Sequence, residues 1–190
     1  MLQKNMFIVT GLGNPGKEYE DTPHNSGYMF VEQLRKHLME STNLQISDWE
    51  NEKRMFLSDI CKITKEGELV GILQKPLTYM NNSGSAVGLL LQKYKPKEYI
   101  LVHDDLDIPL GKLKIQKNKS PKGHKGVMSV ESVVKDKEFL RVRVGIENRG
   151  EKIISGDEYV LIPYSKKELA ILNGAIKESV ADLFERYLQF

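Results

Sequence analysis

Little in this sequence points to an extracellular, membrane-bound or disulfide-stabilised protein. Cys61 is the only cysteine in 190 residues, which excludes an internal disulfide or a zinc site built from cysteines and favours a reducing compartment. No stretch approaches the roughly eighteen consecutive apolar residues of a transmembrane helix. Residues 1–6 lack the apolar core and small-residue cleavage site of a secretory signal. We therefore expect a cytoplasmic protein that does not contact a membrane.

Charge of one sign is also scarce in the chain as a whole. The 28 lysines and arginines nearly balance 26 acidic residues, and the formal net charge of +2 does not by itself indicate a nucleic-acid partner. The distribution is uneven, however, because residues 112–125 contain six lysines and no acid, which leaves 22 basic against 26 acidic residues elsewhere. The near-neutral total therefore hides a segment of charge +6 beside a remainder of −4.

Short apolar runs alternate with amphipathic stretches, which is typical of an α/β protein. The predicted strands are residues 6–10, 56–63, 69–73, 99–102 and 140–146. The last strand has the alternation of a half-exposed strand, and a turn at 65–68 makes a hairpin of the second and third. The predicted helices are residues 28–40, 83–94, 126–135 and a final one after Ser165, where Ser165 and Glu168 form a capping box. We expect a single domain over residues 1–190, with a twisted mixed sheet flanked by helices.

The first polar motif is Gly11-Leu12-Gly13-Asn14-Pro15-Gly16, a G-x-G-x-x-G pattern directly after a strand. This pattern is the dinucleotide-binding fingerprint, but Pro15 removes a backbone donor and no helix follows at once. The acidic residue expected about twenty positions on is Glu32, which falls inside a predicted helix instead of at a strand end. We therefore favour a glycine-rich turn over a nucleotide-dependent oxidoreductase. Asn14 adds a carboxamide that can donate and accept hydrogen bonds in a cleft.

A histidine and a group of acidic residues could supply acid–base chemistry. His24 lies in a predicted loop, where a neutral imidazole could take a proton from water if another group orients its second nitrogen, or could simply cap the turn. Asp104, Asp105 and Asp107 follow the strand 99–102, and ligands bind at such strand ends in α/β folds. A carboxylate here could orient a histidine or belong to a metal site, although the four histidines are too scattered along the chain to define a ligand set.

No protein nucleophile is evident from the motifs. The sequence contains no Gly-x-Ser-x-Gly elbow and no Walker motif, and Cys61 within a strand makes a poor nucleophile. Activated water is therefore the predicted attacking group. Residues 75–84 place amides and hydroxyls between a strand and a helix, where Asn82 or Ser83 could cap the helix and Asn81 could bind a ligand.

The lysine-rich segment 112–125 is a candidate phosphate-binding surface. It ends in Gly123-His124-Lys125, a tight turn before a predicted helix. Lys117, Lys119 and Lys122 could contact phosphates, although a lysine-rich loop is usually only solvated.

Together and in this order, the motifs resemble the bacterial-type peptidyl-tRNA hydrolase family over nearly the whole chain. Several of the matching blocks are specific to that family. The blocks are Gly11-Leu12-Gly13-Asn14-Pro15-Gly16; Thr22 with His24-Asn25-Ser26-Gly27; Lys75-Pro76 with Thr78, Met80-Asn81 and Ser83-Gly84; His103-Asp104-Asp105-Leu106-Asp107 with Pro109 and Gly111; Gly123-His124 with Gly126; and Phe139 with Arg141, Arg143, Gly145 and Ile146.

The resemblance implies a monomeric α/β hydrolase that frees tRNA from peptidyl-tRNA released prematurely by ribosomes, by cleaving the ester between the peptide and the ribose at the tRNA 3′ end. By position, His24 matches the family's catalytic base and Asp104 the carboxylate that stabilises it. Asn14 and Asn81 match amides that hold the substrate and position the carbonyl or the water. The positions that line the channel for the tRNA end and the peptide are Tyr19, Tyr79 and Asn81, with Met80 beside them. The resemblance implies no metal and no organic cofactor.

The sequence departs from the family pattern on the loops near the predicted site. Lys125 replaces the asparagine after Gly-His that orients substrate and water, and lysine keeps donors and adds charge but cannot accept a hydrogen bond. Pro23 replaces the usual arginine before the catalytic histidine, Pro121-Lys122 replaces Ser-Gly, and Glu147 replaces a glycine. A non-catalytic, RNA-binding relative with the same fold is therefore the alternative to an active hydrolase.

Overall fold

A mixed sheet forms the centre of the fold in the computed structural model, which describes residues 6–41, 43–117, 123–134, 138–151 and 153–188. Its strands are β1 (Phe7–Gly11), β2 (Gln45–Ile46), β3 (Glu50–Glu52), β4 (Ser58–Lys65), β5 (Glu68–Pro76), β6 (Glu98–Pro109), β7 (Leu113–Lys117) and β8 (Leu140–Glu147). The strand order is β2-β4-β5-β1-β6-β8-β7, and β3 also pairs with β4. The four central strands β5, β1, β6 and β8 are parallel, and the outer pairings are antiparallel.

Helices cover both faces of this sheet, which confirms the predicted α/β class. They are α1 (Ser26–Ser41), α2 (Lys53–Phe56), α3 (Ser83–Tyr94), α4 (Lys125–Val133), α5 (Gly156–Tyr159) and α6 (Lys166–Tyr187). Short 3-10 turns occupy Lys17–Tyr19, Pro23–Asn25 and Met80–Asn82. No helix in the described part of the chain is both long and apolar enough to cross a membrane.

Alternate residues of each central strand feed two separate cores. On one face, α1 and α6 bury Leu34 and Leu172 against the strands, and on the other, α3 and α4 bury Leu90 and Val130. Each such side chain contributes about 1.5–3 kcal/mol relative to an exposed position. The predicted capping box of α6 is present, because the Ser165 hydroxyl accepts from the backbone N–H of Glu168 and the Glu168 carboxylate accepts from the backbone N–H of Ser165.

The prediction of a half-exposed strand at 140–146 is wrong. β8 lies between β6 and β7 and is buried on both faces. Its polar positions carry buried cations with partners, since Arg141 donates to Glu131 at 2.6 Å and Arg143 to Asp105 at 2.7 Å. The alternation of the sequence therefore records ion pairs inside the protein, not contact with solvent.

Two smaller predictions also differ from the structure. Phe56 ends α2 instead of beginning a strand, because β4 starts only at Ser58. The residue at the N-cap of α3 is Asn82, as one of the two predicted candidates, but its side chain makes no capping hydrogen bond. The hydroxyl of Ser83 instead donates to the carbonyl of Met80, because a 3-10 turn runs directly into the helix.

Candidate active site

His24 and Asp104 come together at the carboxyl end of the central strands, as predicted. The 3-10 turn Pro23–Asn25 carries His24, and its backbone N–H donates to the carbonyl of Val160 at 3.0 Å. Nδ1 of His24 lies 3.0 Å from both carboxylate oxygens of Asp104, a buried residue inside β6. Asp104, Asp105 and Asp107, which were predicted to follow the strand 99–102, are therefore part of β6 itself. The His24 side chain is 15% exposed, so the ring reaches the surface only along one edge.

A second histidine shares the same carboxylate. Nε2 of His124 lies 2.9 Å from Oδ1 of Asp104, and Nδ1 of His124 accepts a hydrogen bond from the backbone N–H of Val127 at 3.2 Å. Because Nδ1 accepts, Nε2 of the neutral ring carries the proton and donates it to Asp104. The ring centroids of His24 and His124 are 5.3 Å apart. Our sequence reasoning did not place His124 in the site, although its position in a Gly-His turn before a helix was a usable signal.

The electrostatics of the cluster keep Asp104 ionised. Burial alone would raise the pKa of Asp104, but the charges and hydrogen bonds of His124 and His24 outweigh it and hold that pKa well below its ordinary value. Burial lowers the pKa of His24, and the charge and hydrogen bond of Asp104 outweigh this, so that its pKa lies above the ordinary 6.5. With Nδ1 committed to Asp104, Nε2 is the nitrogen of His24 that can accept a proton.

His103, the residue before Asp104, is a buried neutral imidazole. Its Nδ1 donates to the carbonyl oxygen of Asp104 at 2.8 Å, and its ring meets that of His124 edge-on at 5.2 Å. Burial, together with the neighbouring His124, lowers the pKa of His103 to about 3. This ring therefore adds no charge to the site at neutral pH.

Asn14 is tied directly to the turn that carries His24. Its backbone N–H donates to Oδ1 of Asn25 at 2.8 Å, and Nδ2 of Asn25 donates back to the carbonyl of Asn14 at 3.0 Å. Oδ1 of Asn14 accepts from the backbone N–H of Met80 at 2.8 Å, which fixes the orientation of the carboxamide. None of these bonds uses Nδ2 of Asn14, so this N–H₂ group remains able to donate to a ligand.

Close packing explains the glycines that precede Asn14. A Cβ atom at Gly11 would lie 2.2 Å from the carbonyl oxygen of Gly27, and one at Gly13 would lie 2.6 Å from the ring of Tyr28. The end of β1 thus runs directly against the start of α1. The element after the glycine motif is the 3-10 turn Lys17–Tyr19, not the helix N-terminus that a dinucleotide phosphate needs. The motif is therefore a packing device, and the oxidoreductase hypothesis loses its only support.

The remaining predicted binding residues lie on two turns beside this cluster. Met80 is buried and packs against Gly126 at the start of α4, where a Cβ would lie 2.3 Å from its sulfur. Asn81 is exposed, and the Tyr79 side chain is 61% exposed. Tyr19 is half-buried in the turn after the glycine motif. Of these residues, Met80 is hydrogen-bonded to Asn14 through its backbone N–H.

An open cleft of about 370 Å³ is lined by His24. Its walls are residues 104–107 of β6, the turn 123–125 and residues 155–157. Lys125 and Asp157 belong to two different segments of the lining, and Nζ of Lys125 lies 2.8 Å from Oδ2 of Asp157. Lys125 therefore lines the same cleft as His24, where it is paired with Asp157, an acid that sequence reasoning missed.

Within the described part of the lysine-rich segment, Lys117 lies away from this cleft. Lys119 and Lys122 fall outside the described residues. Lys117 ends β7 opposite Leu140, while Asp104 is in register with Val144 of β8, four residues along the strand. At about 3.3 Å per residue, Lys117 lies roughly 13 Å from the level of Asp104, towards the opposite end of the sheet.

His24, Asp104 and His124 also lie close enough together to be candidate metal ligands. One ligand atom from each of His24, Asp104 and His124 lies within 4.8 Å of the others, so the histidines are less scattered than their positions in the sequence suggest. A metal would need a lone pair on Nε2 of His124, but that nitrogen carries the proton as long as Nδ1 accepts from Val127. The donor set fits a hydrogen-bonded His–Asp–His cluster better than a metal centre.

Comparison with known proteins agrees with the fold. The model of the family described as peptidyl-tRNA hydrolase matches residues 8–189. A peptidyl-tRNA hydrolase of Aquifex aeolicus is 42% identical over 175 residues, covering 91% of this chain and 85% of the relative, and one of Thermodesulfovibrio yellowstonii is 38% identical over 186 residues, covering 94% and 90%. A crystal structure of peptidyl-tRNA hydrolase from Acinetobacter baumannii superposes with a TM-score of 0.78 at 29% identity, covering 96% of this chain and 88% of that one. The chain belongs to the peptidyl-tRNA hydrolase family and is an enzyme.

Proposed function

We propose that the protein cleaves the ester bond between a peptide and the 3′-terminal ribose of tRNA, using a water molecule that His24 activates. The observation that carries this proposal is the contact of Nδ1 of His24 with both oxygens of the buried Asp104, at 3.0 Å each. It leaves Nε2 as the basic atom of a histidine that lines an open cleft.

In the proposed first step, Nε2 of His24 takes a proton from water while the water oxygen attacks the ester carbonyl carbon. Asp104 stabilises the imidazolium that forms, because it is ionised and already accepts from Nδ1. In the second step the bond between that carbon and the ribose oxygen breaks, and the proton on Nε2 passes to the ribose oxygen. The products are a tRNA with its terminal hydroxyl restored and a peptide carboxylic acid, which loses its proton to solvent to give the carboxylate.

Asn14 is the proposed donor to the substrate. Its Oδ1 is held by the backbone N–H of Met80, so Nδ2 is presented in a fixed direction beside the His24 turn. A preorganised donor of this kind stabilises negative charge that develops on the carbonyl oxygen. An ester needs less assistance to its leaving group than an amide does, so one base and oriented amides are sufficient for the reaction.

The tRNA end and the peptide are proposed to contact the exposed turn residues around Asn14. Tyr79 presents an exposed ring, and base stacking on such a ring contributes about 1–3 kcal/mol per base. The other proposed contacts are Tyr19, Met80, Asn81 and Lys125, with phosphate contacts from Lys117, Lys119 and Lys122. The proposed setting is the cytoplasm, where a monomer without metal or cofactor would recycle tRNA from peptidyl-tRNA that ribosomes release prematurely.

A hydrolysis assay tests the proposal. Purified protein is mixed with N-acetylated aminoacyl-tRNA, and release of the acyl group is followed for the natural chain and for His24→Ala. We expect turnover by the natural chain and a loss of at least a hundredfold in the variant. Binding without turnover in the natural chain would instead support the non-catalytic RNA-binding relative, and near-normal turnover by His24→Ala would remove His24 as the base.

A further inference from the structure

The two walls of the catalytic cleft are joined by one ion pair. Lys125 begins α4 on one wall, and Asp157 lies in the first turn of α5 on the other. Their 2.8 Å contact joins two segments of the lining of the cleft that also contains His24. A ligand that binds in this cleft beside His24 therefore lies next to the pair.

This pair is easy to open. The side chains of Lys125 and Asp157 are 58% and 78% exposed, and neither has another polar partner among the described residues. An exposed ion pair of this kind contributes little to stability and is weakened by salt. Its partners are therefore free to exchange for a ligand of suitable charge without disturbing the fold.

The charges around the pair select the sign of that ligand. Lys125 is the only lysine or arginine among the described residues that line the cleft. Asp105 is already paired with Arg143, so Asp104, Asp107 and Asp157 are the acids of the cleft that remain to repel an anion. Lys125 is the permanent cation of the cleft lining that can attract one.

We propose that Lys125 and Asp157 form an ionic latch across the cleft and that a phosphodiester of the substrate RNA opens it by taking Lys125 from Asp157. The identity of the anion rests on the proposed function. In this arrangement Lys125 compensates for the asparagine usual at its position by binding charge instead of orienting a carbonyl. Asp157 competes with the RNA for Lys125 and so lowers the affinity of the closed cleft.

Binding of deacylated tRNA at several salt concentrations tests the latch with Asp157→Asn, Lys125→Met and the double variant. In Asp157→Asn the carboxylate no longer competes with the RNA for Lys125, so this variant should bind tRNA about two- to fivefold more tightly than the natural chain. Lys125→Met should bind more weakly, and its slope of log affinity against log salt should be shallower by about 0.7–0.9, the value for one phosphate contact. The double variant should match Lys125→Met, since Asp157 acts through Lys125.

The matched control is Asp182→Asn. It removes an acid from another exposed pair, Asp182 with Arg186 at 2.6 Å on α6, and changes the net charge equally. A gain for Asp157→Asn no larger than that for Asp182→Asn would overturn the latch, and so would a gain that persists undiminished in the Lys125→Met background. A separate hydrolysis assay distinguishes the two proposals, because a chain that binds tRNA in the expected pattern but releases no acyl group would refute the proposed function and leave the latch standing.

Discussion

Replacing Asp104 by asparagine is the most direct test of the His–Asp–His cluster. Oδ1 of Asp104 contacts both histidines, at 3.0 Å from Nδ1 of His24 and 2.9 Å from Nε2 of His124, while Oδ2 contacts only His24, at 3.0 Å. An asparagine therefore loses the fewest hydrogen bonds when its N–H₂ group occupies the Oδ2 position. That N–H₂ group then faces the N–H of His24, so that two hydrogen-bond donors point at each other.

This conflict determines the size of the effect. His24 can relieve it by moving its proton from Nδ1 to Nε2, but Nε2 then has no lone pair with which to accept a proton from water. Loss of the carboxylate also removes the charge that stabilises the imidazolium. For a His–Asp pair in a hydrolase these effects together cost about 10⁴-fold in kcat. We expect a loss between about 10² and 10⁴, because the asparagine oxygen still accepts from one histidine.

The pH dependence provides a second and sharper readout. In the natural chain the base form of His24 is lost as the pH falls through a pKa above 6.5, so the rate should decline on the acid side from there. Without the charge of Asp104, burial is the larger influence that remains, and it lowers the pKa of His24. The acid limb of kcat/KM should therefore move from above 6.5 to below it in Asp104→Asn.

The assay is release of the acyl group from N-acetylated aminoacyl-tRNA between pH 5 and 9, with Asp182→Asn as a control of equal charge change on α6. Thermal unfolding at each pH shows whether the variant remains folded. A folded Asp104→Asn protein that keeps more than a tenth of the natural kcat, with its acid limb unmoved, would refute the role assigned to Asp104.

Three further predictions follow from burial and packing. Because the pKa of Asp104 is lowered in the folded state, its contribution to stability is present above the ordinary value of 3.8 and is lost as the pH falls, so urea unfolding of the natural chain should show a steeper acid decline than Asp104→Asn. Gly11→Ala places a Cβ 2.2 Å from the carbonyl oxygen of Gly27, so it should destabilise the protein by several kcal/mol and lower the urea midpoint of unfolding. An unchanged midpoint would mean that β1 and α1 can move apart to accommodate the methyl group. Arg143→Met leaves the buried Asp105 without its partner and should cost about 3–5 kcal/mol in the same measurement; a cost under about 1 kcal/mol would show that the pair is dispensable.

The proximity of His24 and Asp104 could be predicted from the sequence. His24 lies in the loop after the apolar strand β1, Asp104 follows the apolar run 99–102, and ligands bind outside the carboxyl ends of parallel strands. The register of β1 with β6 places Gly11, the last residue of β1, opposite Val102, two residues before Asp104. Asn14 was identifiable for a similar reason, because it interrupts a run of glycines that packing alone would not fill with a carboxamide.

The partners of these residues could not be predicted, because pairing depends on tertiary contacts. Nothing in the spacing of His124, twenty residues after Asp104, indicates that it shares a carboxylate with His24. The alternation in β8 is a similar case, since a period of two distinguishes apolar from polar positions but does not distinguish solvent from a buried acid. Arg143 is buried because Asp105 of the neighbouring strand is there to receive it.

The same pairing determines which charges a ligand meets. Asp104 is held by hydrogen bonds from two histidines and Asp105 is neutralised by Arg143, so neither carboxylate of the cleft is without a partner. The exposed charged pair of the cleft lining is Lys125 with Asp157. Lys117 lies at the level of Leu140 of β8, four residues from the level of Asp104, so an RNA that contacts both Lys117 and the cleft must span roughly 13 Å along β8. Among the described lysines of the basic segment, Lys117 and Lys125 would therefore be separate contacts and not one patch over the cleft.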